Sequence, residues 1–235
     1  MNLSEMAMRM KECPNAGGDS VESEVMSLEL FHRCFGAKLL KTEMEIEYFP
    51  RGGSIVDYTC EMFGVSLGVS VTRAMKYKGE FEKEDAEDLL RKKLRGIDCA
   101  TQNAKDTWSK KILHIWATSP DVAEKLTREY KKLREDESSS HLTSEVVIMV
   151  TVVNDTFFCH LKAVKCSLGA KLLQTEMEIE YFPRGGSIVD YTCVTFGVSL
   201  GLSVPRAMKN KGEKEDAKDL LRKKLRGECH VEFRS

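Results

Sequence analysis

One segment occurs twice in this chain. Residues 36–96 return as residues 169–227, with seven substitutions and the loss of two residues at Phe81 and Glu82. A unit that recurs this closely carries the same local folding instructions in both places. Its surroundings must then decide whether both copies reach the same structure. The first copy is preceded by a helical segment and followed by further strand and helix patterns. The second is followed by only eight residues of the sequence.

The repeat opens with residues 40–49, which alternate. Met44, Ile46 and Tyr48 fall on one side and Glu43, Glu45 and Glu47 on the other, as expected of a half-buried strand. The run 50–53 (Pro-Arg-Gly-Gly) reads as a turn. Residues 54–63 form a second expected strand, with Val56, Tyr58 and Cys60 apart from Ile55, Asp57 and Thr59. Residues 65–73 form a third, with Val65, Leu67, Val69 and Val71 opposite Ser66, Gly68, Ser70 and Thr72. Short links make the three an antiparallel meander. The repeat closes on a helix at 82–95, acidic early and basic late, with Ala86, Leu89, Leu90 and Leu94 as its apolar stripe and Gly96 as its stop.

Outside the repeat, residues 20–35 have helical spacing and a capping-box pair at Asp19 and Glu22. Residues 111–117 (KILHIWA) and 145–153 (EVVIMVTVV) read as buried strands flanking a helix at 119–133, an arrangement that runs parallel. His114 and Trp116 share a face of their strand and read as a packed core pair. The fold class is therefore α/β with a mixed sheet: α-β-β-β-α-β-α-β, then a partial duplicate β-β-β-α. The expected divisions are a flexible leader (1–19), one α/β domain (20–160) and the partial repeat (166–229).

At 235 residues and 42% hydrophobic, the chain can bury a real core. Its net charge of -1 gives no global field toward polyanions or membranes. No apolar run reaches the roughly 18–20 residues of a membrane span. The first residues have no apolar signal core, and none of the eight cysteines forms a CxxC pair. Reduced thiols in the cytoplasm or nucleus are the expectation.

The polar side of the meander carries the chemistry. Glu43, Glu45, Glu47 and Asp57 lie there with Thr59, Ser66, Ser70 and Thr72. Carboxylates gathered on a sheet can hold Mg²⁺ through oxygen and activate water. The competing expectation is a face that is simply solvated. The basic run Arg91-Lys92-Lys93-x-Arg95, repeated as Arg222-Lys223-Lys224-x-Arg226, can meet phosphates or simply form the basic end of a helix.

The order of elements over residues 20–153 resembles the PD-(D/E)XK nuclease-like fold. Ser54-Ile-Val-Asp57 sits where that family has its first catalytic Asp, and Glu24 or Glu29 where it often has a helical Glu. The resemblance implies Asp57 and Glu24 as Mg²⁺ ligands, Lys76 orienting or activating water, and a nucleic-acid substrate. The chain departs from the family on the third strand. An acid-x-lysine is expected there and Gly68-Val-Ser-Val-Thr-Arg73-Ala-Met-Lys76 stands in its place. The expected function is thus a nuclease-fold protein with weak or no catalysis that acts by binding. The alternative is a protein-interaction or structural module with no nucleic-acid role. The second repeat, lacking partners of its own, is expected to dock on the first domain, to pair with another chain as a homodimer, or to stay partly disordered.

Overall fold

The computed structural model describes residues 3–16, 20–49, 53–76, 78–143, 145–153, 191–195, 198–202 and 217–226. Residues 50–52 of the turn expected at 50–53 and most of the second copy, including Glu176, Asp190 and Pro205, lie outside the described residues.

The elements in chain order are α1 (Glu5–Glu12), α2 (Val21–Phe35), β1 (Lys38–Thr42), a 3-10 turn (Glu43–Glu45), β2 (Tyr58–Met62) and β3 (Val65–Ala74). There follow α3 (Lys83–Asn103), β4 (Lys110–Ala117), α4 (Pro120–Glu135), α5 (Ser140–Thr143), β5 (Val146–Val152), β6 (Tyr191–Thr195), β7 (Val198–Leu202) and α6 (Ala217–Arg226). The sheet order is β1-β2-β3-β4-β5-β7-β6. β1, β2 and β3 are antiparallel, β3, β4 and β5 are parallel, and β7 joins β5 antiparallel. This is the mixed α/β sheet that the patterning predicts.

Each face of the sheet has its own core. Along β4, Ile112 and Trp116 join one cluster with α2, while Leu113, Ile115 and Ala117 join the other with α3 and α4. The α2 side carries a buried polar chain. Tyr58 Oη lies 2.8 Å from Ser27 Oγ, Ser27 Oγ 2.7 Å from His114 Nδ1, and His114 Nε2 2.8 Å from Thr151 Oγ1. Burial drives the His114 imidazole down to a pKa of about 3, so it is neutral. Its ring lies 4.5 Å from that of Trp116, the core pair expected from their shared face.

Four expectations need correction. The leader 1–19 is not simply flexible: residues 5–12 are α1, whose Ala7 and Met10 enter the core. Its N-cap Ser4 donates from N (3.0 Å) and Oγ (2.6 Å) to the wholly buried Glu29. The strand 40–49 stops at Thr42. There the chain tightens into the 3-10 turn, because Glu45 accepts the Thr42 N–H at 2.8 Å while Arg9 grips the same carboxylate. The turn inverts the alternation, leaving Met44 56% exposed while Glu43 is 9% exposed. The strand expected over 54–63 likewise shortens to β2. Finally, α3 does not stop at Gly96, because Ile97 and Ala100 continue its buried stripe. A Cβ on Gly96 would come 3.4 Å from Ser54 Oγ, so a small residue suits that crossing.

That extension of α3 decides the fate of the meander's polar side, which is covered and not solvated. Ile46, Val56 and Ala100 form a third small cluster there, with Tyr48 and Trp108 packed against it. Thr59 and Ser70 are buried. Trp108 lies so close to β3 that a Cβ on Gly68 would sit 2.7 Å from its ring.

Candidate functional site: a carboxylate cluster at the head of the meander

Three carboxylates meet where α2, the 3-10 turn and the start of β2 converge. Glu24, Glu43 and Asp57 each offer an oxygen, all within 4.8 Å of one another. Glu24 comes from the first turn of α2, where helix N–H dipoles favour negative charge. Glu43 is turned inward by the 3-10 turn, and its Oε1 accepts the Ala16 N–H at 2.5 Å. Asp57 immediately precedes β2. Its carboxylate accepts the Val71 N–H at 2.6 Å and the Ser70 hydroxyl at 3.1 Å, while its own N–H goes to Val69 O at 2.9 Å. The first two bonds fix the aspartate on the third strand.

The electrostatics follow from crowding in a poorly hydrated place. Burial first, and then the charge of Asp57, raise Glu24 to a pKa of about 7. Burial also raises Asp57, opposed by its bond from Val71 and by the charge of Lys93. Burial pushes the nearby Tyr48 phenol up to about 12, and its oxygen accepts the Val56 N–H at 3.0 Å. Acids whose pKa values are raised hold protons that a cation would displace. All three donors are oxygens, a set suited to Mg²⁺, Mn²⁺ or Ca²⁺ and not to zinc.

Of the residues expected from the sequence, Asp57 and Glu24 are brought together and Lys76 is not. Lys76 is exposed and pairs with Asp85 at 2.8 Å. The lysine that approaches the acids is Lys93 of α3. It reaches toward Val71 O at 3.5 Å, and its charge acts on both Glu24 and Asp57. Nothing in the sequence separates Lys93 from Arg91, Lys92 and Arg95, since all lie on one basic turn. Glu45 and Glu47 also leave the group, pairing with Arg9 and Lys105. Glu29, the other helical candidate, is occupied by Ser4 and Arg33.

Two shallow depressions are lined in part by α3. One of about 590 Å³ is lined by Ser54, Arg91, Lys92 and Arg95 among others. The other, of about 260 Å³, is lined by Arg73, Lys76 and Lys92 with Asp85 and Asp88. Basic side chains outnumber acidic ones in both linings, on a chain of net charge -1. Among the described residues no helix is long and apolar enough to cross a membrane.

Over 139 residues, 56% of the chain, the sequence is 43% identical to the AAC-rich mRNA clone AAC4 protein of Dictyostelium discoideum. The matched part is about 20% of that protein, whose name describes a transcript and not an activity. No protein-family profile matches the chain, and no solved structure matches it.

Proposed function

We propose that the carboxylate cluster binds a divalent cation and that the protein is a nuclease-like nucleic-acid-binding protein with weak hydrolytic activity. The observation that carries this reading is the convergence of Glu24, Glu43 and Asp57 within 4.8 Å. Glu24 and Asp57 would hold the ion with Glu43 as the third carboxylate, in place of the acid missing from the third strand. A bound Mg²⁺ supplies charge at a phosphodiester oxygen and acidifies water. Lys93 places a positive charge beside the acids, the task expected of Lys76. The basic side of α3 gives a sugar-phosphate backbone somewhere to lie.

Calorimetric titration of the full chain with Mn²⁺ tests the reading. Binding is expected in the wild type and is lost in Asp57→Asn. Cleavage of DNA or RNA should be slow, dependent on Mg²⁺ or Mn²⁺, and absent from Asp57→Asn and Lys93→Met. No Mn²⁺ binding at neutral pH would overturn it.

A second reading has its own observation. Asp57 is satisfied by Val71 and Ser70, and Glu43 by Ala16, so these acids also act as internal braces. On that reading the protein is an interaction module, and Asp57→Asn lowers stability without altering any response to Mn²⁺.

A further inference from the structure

The second copy's helix α6 sits on the α2 side of the sheet, and its seat has the properties of an exchangeable docking site. Leu221 and Leu225, one helical turn apart, are 0% and 2% exposed and belong to the same cluster as Phe35, Met62 and Leu67. Arg226 anchors the helix end, donating from Nε (3.2 Å) and Nη2 (3.1 Å) to the Phe63 carbonyl. That carbonyl is at the tip of the two-residue β2–β3 turn. Phe63 and Gly64 both have positive φ there (54° and 74°), which points the tip groups away from the ladder. The seat therefore has an apolar floor and one directional acceptor, the elements of helix-in-groove recognition.

Fourteen residues, 203–216, separate the end of β7 from the start of α6, a contour of up to about 45 Å. Ten residues are too few for an isolated helix to be stable in water, so α6 is helical because it is docked. Its near-identical counterpart in α3 (Ala86–Arg95, differing only at Glu87) continues to Asn103 and is built into the core between β3, β4 and α4. Only α6 can leave its seat without dismantling the sheet.

We propose that this seat is a homotypic docking site: two molecules of the chain exchange α6 helices, each filling the other's groove beside Phe63. An exchange of identical elements adds no new kind of contact and closes on a two-fold axis, so it stops at the dimer.

Analytical ultracentrifugation of the full chain over a wide concentration range tests this, with native mass spectrometry of mixed ¹⁵N-labelled and unlabelled protein to detect heterodimers. A monomer–dimer equilibrium with subunit mixing is expected. Leu221→Asp combined with Leu225→Asp should abolish the dimer while the thermal melt of the sheet persists. Arg226→Ala loosens the seat in the closed monomer and in the exchanged dimer alike, so it should leave the dimer affinity nearly unchanged and speed subunit mixing several-fold, whether or not the double variant folds. A chain that stays monomeric at every concentration overturns the proposal. So does a dimer whose subunits mix no faster in Arg226→Ala.

Discussion

α3 and α6 are almost the same helix on opposite faces of one sheet. In α3, Leu90 and Leu94 pack on the face built from Leu113, Ile115 and Ile148. The equivalent Leu221 and Leu225 of α6 pack on the face built from α2, Trp116 and Met149. The hairpins before them are also alike. β2 pairs β3 through Tyr58↔Val69 and Met62↔Val65, and β6 pairs β7 in the same register through Tyr191↔Leu202 and Thr195↔Val198. The difference begins at the outer strand of each hairpin. β3 joins β4 in parallel over eight residue pairs, whereas β7 meets the edge of β5 antiparallel at Val152↔Ser199. The face that would suit a second α3 is already covered by α3, α4 and α5, so α6 goes to the other. An amphipathic stripe specifies that a helix is buried, and the unoccupied surface specifies where.

Truncating the matched leucines should separate the two sites most widely. Leu90→Ala is expected to lower global stability by about 2–5 kcal/mol, as a cavity in an integrated core does. Leu221→Ala should leave the main melt nearly unchanged and act locally, read as faster amide exchange confined to 217–226. Equal shifts in the main melt would mean that α6 is as integral as α3.

Making the first copy resemble the second should be nearly as damaging. Val69 and Val71 turn their backbone toward Asp57, so Thr72 presents its N–H to β4. Thr72→Pro, the residue of the second copy, removes that donor from a central strand. A loss of about 2–4 kcal/mol is expected from the missing ladder bond and the carbonyl left without a partner. Denaturant unfolding checks it. A neutral result would show that Thr72 donates nothing to β4.

Acid should discriminate between the faces. His114 has a folded-state pKa near 3 against an ordinary 6.5, so the unfolded chain binds the extra proton. Its contribution is present above pH 6.5 and is lost as pH falls toward 3. Glu24 has the opposite sign: raised from 4.5 to about 7, it favours the fold at low pH and loses that contribution as pH rises through 7. Of these two, Glu24 acts alone from about pH 7 to 6.5, the two oppose each other between about 6.5 and 4.5, and His114 acts alone below. In Glu24→Gln the decline should therefore begin near pH 6.5. Exchange of α6, on the His114 face, should rise before that of α3. The same raised Glu24 makes cation binding strengthen with pH up to about 7 and then level off, as Mn²⁺ titrations at several pH values would record.

The smallest effect is expected from Glu87→Lys, which gives α3 the residue of α6. It removes the half-exposed 2.9 Å pair with Arg91, and about 0.3–0.5 kcal/mol is the expected loss. A larger loss would point to a wider role for Arg91, which also bonds Ser139 at 3.0 Å.

Periodicity in the sequence determined β3, β4, β5, α2 and α4 and the mixed class of the sheet, because burial on fixed faces leaves a mark at every second or every third to fourth residue. The alternation of the meander set Asp57 on its polar side, whereas Glu24 was marked only by the resemblance to the nuclease-like fold. The rest was decided in three dimensions. Glu43 follows the alternation of a strand, but an arginine from α1 and the capping of Thr42 by Glu45 turn the chain there and send its carboxylate inward. Gly96 has the composition of a stop, but buried Ile97 and Ala100 carry the helix past it. Lys76 and Lys93 are both plausible partners for a carboxylate, and only the packing of α3 against β3 selects Lys93. Two copies with nearly one sequence take different neighbours for the same reason. Local pattern fixes how a segment hydrogen-bonds and which side it buries, whereas its partner depends on which surface is still uncovered, and that is a property of the whole chain.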